Sequence, residues 1–398
     1  MVALAAALPR LASLAVERND ILAEFTEKSD DFARTLAASG TFGFLAGEPS
    51  AYTQPLYGWF LAGLYWPLER HWLVVGLAQT TVAVATALLV VEIGRRELSL
   101  RTGVIAGLLV ALHPYLVWHD VHVNREVVDG LVAAALVLAT LVAAQRRSLP
   151  LAALAGGLAG LAILGNTRLI LVPLVVAGYL LWRRSGALAA GAVVAAAALV
   201  VAPWVVRNEI SVGCAAITTD AKALWKANNE ATYETLADGG WIDDVPDPPG
   251  APPTPEDAAA EGRTVDECAQ MREYRELTLD FWREHPGEKA RLAVQATGML
   301  WDPRGTVTET GPGAGELRET GRTWLLPLYV LPLYLLALAG VFRAPTRLTV
   351  LSVALLAYVG LTAIAFAGAT RYRAPWDFLL ALLAAAALDR FFVSRASR

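Results

Sequence analysis

Five arginines stand where a membrane protein rarely keeps them. Arg125, Arg168, Arg207, Arg371 and Arg373 each close or open a hydrophobic run, on the side opposite to the chain's other basic clusters. A lone arginine at such a position commonly snorkels to lipid headgroups. Several at one depth, arriving from different helices, suit a bound anion better, because the planar guanidinium grips phosphate oxygens two at a time. Carboxylates share that side. Glu27, Asp30 and Asp31 cluster shortly after the first hydrophobic run, and Glu126 and Asp129 open another. A carboxylate there can take the proton of an attacking hydroxyl while the arginines hold a departing phosphate. An acidic trio ahead of a helix also has a plain role at the helix dipole, and the spacing does not choose among its three members. Asp129 falls inside the hydrocarbon boundary, where an acid is costly and usually functional. His119, Asp120 and His122 lie beside it in HDVHVNRE, at no spacing that matches a defined metal site. A divalent metal is left open, and no other cofactor is implied.

The elements that must position these groups are hydrophobic helices. Mean hydropathy is +0.46, and only 18% of residues are charged, which places the chain among polytopic membrane proteins. Runs at 72–92, 103–118, 127–144, 150–165, 168–182, 187–206, 323–342, 348–367 and 374–393 are mostly long enough to span a bilayer. With the short run 2–16, which carries Pro9 and Arg10, they predict an all-α protein of about ten spans. The first run lacks a basic leader and reads as the tail of a first span, clipped by a start placed too far downstream. Arg95, Arg96, Arg101, Arg146, Arg147, Arg183, Arg184, Arg343, Arg347 and the tail with Arg390, Arg395 and Arg398 all fall on one side, the cytoplasmic one by the positive-inside rule.

The outer segments are then 17–71, 119–126, 166–168, 207–322 and 369–373. This divides the chain into a transmembrane catalytic module, residues 1–206, with outer loop 17–71, a small, mainly helical extracytoplasmic domain 207–322, and C-terminal spans 323–398. Segment 207–322 holds 22 acidic and 12 basic residues, so it is a solvated domain and no nucleic-acid binder. It contains a proline-rich stretch, DDVPDPPGAPPTPE, a capped helix start at TPED and an amphipathic helix around ECAQMREYRELTLDFW. Cys214 and Cys268 both lie in it, as a disulfide or as two small buried thiols. In the first outer loop, SDDFARTLAASG reads as a short amphipathic helix, and LYGWFLAGLYW as an aromatic interfacial stretch.

Four stretches resemble the GT-C superfamily of glycosyltransferases, in the branch of protein O-mannosyltransferases and aminoarabinose transferases: SDDFARTLAASGTF, EPSAYTQPLYGWFLAGLY, APWVVRNEISVG and RYRAPWDFLLALLAAAAL. The resemblance implies a membrane enzyme that takes sugar from a polyprenyl-phosphate donor and passes it to a hydroxyl acceptor, with inversion. It implies a catalytic base in the first outer loop, Asp30 or Asp31 ahead of Glu27. It implies donor phosphate on Arg207, Arg371, Arg373, Arg168 and Arg125. Tyr57, Asn208 and Tyr372, with Glu126 and Asp129, become substrate contacts. Phe32 stands directly after the acids where the family often carries a tyrosine at helical spacing.

Other signals are weaker. Gly156 and Gly160 have the spacing of a close helix contact, and GPGAG at 311–315 lacks the Gly-Lys-Ser/Thr of a nucleotide loop. Two other functions fit the same residues: a secondary transporter, or a protein that binds or flips a polyprenyl-phosphate carrier without catalysis. The first calls for helices broken near mid-membrane, and the second needs no base.

Overall fold

The computed structural model describes residues 1–23, 27–248, 250–306 and 321–396, with no side-chain description beyond Asp389. The glycine-rich stretch 311–315 and Arg390, Arg395 and Arg398 lie outside what is described. The described chain is helical: α1 (Val2–Glu17), α2 (Lys28–Ser39), α3 (Pro55–Leu68), α4 (Trp72–Glu97), α5 (Leu100–Ala111), α6 (Pro114–His119), α7 (Glu126–Arg146), α8 (Leu149–Gly165), α9 (Val172–Trp182) and α10 (Ala187–Ser211). After them come α11 (Lys222–Lys226), α12 (Thr232–Ala237), α13 (Pro255–Ala260), α14 (Glu267–Glu284), α15 (Pro286–Trp301), α16 (Leu326–Val341), α17 (Thr346–Ala365), α18 (Thr370–Arg373) and α19 (Asp377–Ala396).

Among the described residues, five helices are long and apolar enough to cross a membrane: Trp72–Glu97, Glu126–Arg146, Ala187–Ser211, Gly321–Val341 and Thr346–Ala365. Leu100–Ala111, Leu149–Gly165 and Thr167–Trp182 are apolar but shorter. The run 103–118 is not one helix. Pro114 has no N–H to donate and forces His113 into an extended conformation, so α5 ends and the separate turn α6 begins. The aromatic stretch 55–68 forms α3, and the amphipathic stretch before it forms α2.

Small residues set how closely the helices approach. A Cβ on Gly156 would lie 2.3 Å from the Val193 carbonyl oxygen, and one on Gly160 would lie 2.7 Å from the Val200 side chain. The GxxxG spacing therefore marks the α8–α10 contact. α19 is buried along 378–387 and packs on α5 and α16. Polar staples join the rest. Arg10, almost fully buried in α1, donates two hydrogen bonds to Asp120 at 2.9 and 2.7 Å.

The segment after α10 docks on the first loop. Glu267 accepts from the Ala51 amide at 3.1 Å and from Thr219 Oγ1 at 2.8 Å. Cys214 and Cys268 form a disulfide, with Cα atoms 5.9 Å apart. Thr254 caps α13 in a reciprocal pairing with Asp257, and α14 follows the expected amphipathic stretch, burying Met271, Tyr274, Thr278 and Phe281.

Candidate active site

The N-cap of α2, the N-terminus of α7, the C-terminus of α8 and the turn α18 meet at one end of the bundle. Their side chains, with residues 220–257, surround a cavity of about 530 Å³. Arg125, Arg168 and Arg371 line it, with Glu27, Asp31 and Tyr372.

Each of the three arginines is held differently. Arg371, from α18, bridges two carboxylates: its Nε donates to Glu126 Oε1 at 2.8 Å, and an Nη pairs with Glu27. Arg125, at the N-cap of α7, donates to Gln54 Oε1 at 2.9 Å and lies 3.7 Å from Asp129. Arg168 has no described carboxylate within 4 Å. Its guanidinium stacks 3.5 Å above the Tyr372 ring and donates to the Ala367 carbonyl at 3.2 Å. Asn166 fixes the turn by accepting from the Arg168 amide at 3.2 Å. Arg168 is thus, among the described residues, a cation without a countercharge, oriented on an aromatic face and directed at the cavity.

The acidic trio divides. Asp30 is 2% exposed and does not line the cavity. It accepts from Tyr65 at 2.5 Å and pairs with the fork of Arg70, whose Nη2 lies at 2.8 Å. Both oxygens of Asp30 are thus bonded to α3 and the turn after it. Asp31 does line the cavity. Burial, and then the neighbouring Asp30, raises its carboxyl above the usual range. Glu27 lines it too, on Arg371. Glu126 sits behind Arg371, its other oxygen 3.5 Å from His119 Nε2.

Four residues expected to contact donor or substrate lie elsewhere. Arg207 donates to the carbonyls of Ser50 and Phe42, both at 2.9 Å, and to Asn208 Oδ1 at 2.8 Å, so it staples the first loop to α10. Asn208 in turn donates to the Ala216 carbonyl at 2.7 Å. Arg373 is fully buried on Asp377 at 3.0 Å and on the Leu300 carbonyl at 2.7 Å. Tyr57 is buried with its hydroxyl on Gln79 at 2.5 Å.

Lys28, Lys222 and Lys226 also line the cavity, and no motif in the sequence marks them. The chain has four lysines in all, so their scarcity is a usable signal. Lys28 lies 3.6 Å from Asp220 and 3.9 Å from Glu256. Burial opposes its charge, yet these two carboxylates raise its ammonium above the ordinary value. Among the described residues, the donor set does not fit a divalent cation. No group of three His, Cys, Asp or Glu converges among the described residues, and Glu27 and Glu126 have the Arg371 guanidinium between them.

Residues 49–206 match the family described as dolichyl-phosphate-mannose-protein mannosyltransferase. No curated protein matches the sequence. In fold, the chain is similar to the archaeal oligosaccharyltransferase AglB from Archaeoglobus fulgidus, solved with an inhibitory peptide and a dolichol-phosphate. The TM-score is 0.58 at 15% identity, over 99% of this chain and 51% of that one. This protein therefore spans about half the length of that relative. ArnT from Cupriavidus metallidurans, solved in the apo state and bound to undecaprenyl phosphate, aligns over 96% of this chain and 76% of its own. The TM-scores are 0.40 and 0.39, at 14% and 15% identity. Residues 49–206 are thus similar to that mannosyltransferase family, and the chain as a whole shares the helical fold of the oligosaccharyltransferase.

Proposed function

We propose that the protein is an integral membrane glycosyltransferase that moves a sugar from a polyprenyl-phosphate donor to an extracytoplasmic hydroxyl acceptor, in the cell envelope of a bacterium. The observation that carries this reading is the convergence of Arg125, Arg168 and Arg371 with Glu27 on one cavity at one end of the bundle.

Chemistry follows from the placement. The acceptor oxygen attacks the anomeric carbon, the bond from that carbon to the phosphate oxygen breaks, and the acceptor proton passes to a carboxylate. Charge grows on the departing phosphate, and preoriented guanidinium groups in a partly dehydrated cavity stabilise it. Arg168 supplies the uncommitted fork. Arg371 supplies a second when the phosphate draws it from Glu27, and that exchange releases the Glu27 carboxylate as general base. Direct displacement inverts the anomeric centre. Asp30 drops out as base because Arg70 and Tyr65 occupy it, and Asp31 is the nearest substitute for Glu27. Arg207, Arg373, Asn208 and Tyr57 hold the scaffold. No step passes through a metal.

Purified protein in lipid nanodiscs, given a panel of radiolabelled polyprenyl-phosphate sugars and a membrane extract, tests the proposal. Transfer by the wild type that is lost in Glu27→Gln, with donor binding kept, supports it. A panel in which no donor binds or reacts overturns it in favour of a transporter. Binding with no transfer from any sugar favours a carrier-binding protein.

A further inference from the structure

Glu126 does not line the cavity, yet it is the second carboxylate of Arg371. Behind it stands a histidine that none of the chemistry above uses. His119 ends α6 and is fully buried, and its backbone carbonyl accepts from Asn124 Nδ2 at 2.7 Å. Its Nε2 lies 3.5 Å from Glu126 Oε2, the oxygen that Arg371 leaves alone, since Arg371 Nε takes Oε1 at 2.8 Å. The four groups form a line: His119, Glu126, Arg371, Glu27. One end is sealed in the protein and the other faces the cavity.

We propose that His119 is a positioning residue whose imidazolium form takes over the charge of Glu126, so that Arg371 can turn to the donor phosphate and release Glu27. This rests on the reading of the cavity as a polyprenyl-phosphate site.

The argument is one of charge balance. With a neutral imidazole the line carries two carboxylates against one guanidinium. Diverting Arg371 to a phosphate then leaves Glu126 in a buried place with only the more distant charge of Arg125, and a poorly compensated carboxylate there is costly. With an imidazolium, Glu126 keeps a partner throughout. Among the described contacts, other groups around His119 do not replace it. On its own helix, the Tyr115 hydroxyl lies 3.4 Å from Nε2 and carries no charge. Asp120 is committed to Arg10 at 2.7 Å. His122 stacks on Trp118, with Nδ1 2.9 Å from the Trp118 carbonyl oxygen. From α7 comes Glu126 itself, and from α18 comes Arg371, through Glu126. Arg125 lies 3.7 Å from Asp129 and also acts at longer range on Glu126 and Glu27. Phosphate binding is thereby linked to proton uptake at His119.

The test uses the full chain in nanodiscs and polyprenyl phosphate without sugar, so that it is independent of transfer. Its dissociation constant is measured from pH 5.5 to 8.5 for the wild type, His119→Gln and Glu126→Gln. The monoester's own second ionisation acts on all three proteins alike, so ratios isolate the protein. The expected ratio of His119→Gln to wild type is large at low pH and approaches one at high pH, changing at most about tenfold per pH unit for one linked proton. Calorimetry in buffers of different ionisation heat should show up to one proton taken up by the wild type and less by His119→Gln. Glu126→Gln, which removes the acid, should lose the linkage as well, and it serves if His119→Gln does not fold. A ratio constant across pH, in a wild type that binds, overturns the linkage and leaves the site intact. Absence of binding by the wild type at every pH overturns the site and the linkage together.

Discussion

Replacing Arg168 by alanine should separate ligand binding from folding, and the structure says by how much. Arg168 balances no described carboxylate, so its removal strands no acid. The fold loses a stacking contact with Tyr372 and one hydrogen bond to the Ala367 carbonyl, together about 1–3 kcal/mol. The hydrogen bond from the Tyr358 hydroxyl goes to the Arg168 carbonyl at 2.6 Å and survives truncation. A charged, two-pronged contact to phosphate is worth about 1.5–3 kcal/mol, so polyprenyl phosphate should bind about 10- to 150-fold more weakly. Arg371→Ala is the contrast. It leaves Glu126, 2% exposed, and Glu27 without their shared cation, and the loss of a buried partner costs about 3–5 kcal/mol. That variant should fall in Tm and in yield before its affinity can be read. The assay is calorimetric titration of polyprenyl phosphate into nanodiscs, with thermal unfolding alongside. An Arg168→Ala protein that folds and binds within about twofold of the wild type would falsify the assignment of Arg168 to the phosphate.

Further outcomes concern the acids, the buried imidazole and the disulfide. Glu27→Gln should abolish transfer while keeping the fold. Asp30→Asn should lose stability by about 1–3 kcal/mol, because Arg70 and Tyr65 lose a charged acceptor; the reverse pattern in activity per folded molecule would move the base to Asp30. Burial holds His122 down at about 4, so the fold favours its neutral form. The stability this gives is whole above the unfolded value near 6.5 and is lost as pH falls from there toward 4. Linkage puts the loss near 2 kcal/mol at pH 5. The unfolding midpoint of the wild type should therefore drop on acidification more than that of His122→Gln, and parallel curves would refute this. The Cys214–Cys268 bridge closes a 54-residue separation, worth about 4 kcal/mol in the chain-entropy account. A Cys214→Ser/Cys268→Ser protein should unfold several degrees lower, and an unchanged midpoint would argue against that value.

Much of the helical architecture is legible in the sequence, because hydrophobic runs become apolar helices. The run 103–118 reads as one span since a proline is an ordinary guest at hydrophobic length, and only the geometry at His113 shows the break. At the site, residue type is legible and direction is not. Glu27, Asp30 and Asp31 are chemically alike; what sorts them is a tyrosine and an arginine 35 and 40 residues beyond Asp30, folded back by α3. Arg207 looks like Arg168 in sequence. It differs because two backbone carbonyls of the first loop, 157 and 165 residues earlier, reach it in space. The lysines of α11 come from a segment with no hydrophobic period long enough to predict where it docks, and its anchor on Ala51 is a single glutamate far along the chain.

The cavity has two walls of different origin. The arginine wall is made by helix ends whose register is locked in the bundle, down to glycines that tolerate no added carbon. The facing wall, from Asp220 to Asp257, is one contiguous stretch fastened beside its two ends, by the disulfide and by Glu267. Between those fastenings Asn228 donates to the Ala365 carbonyl of α17 at 3.1 Å and Trp241 packs beside Tyr372, so changes of sequence there alter what the cavity admits and also reach the helix ends. The two halves of the site are therefore held by different means, one by close helix packing and the other by a covalent bridge and a few polar contacts.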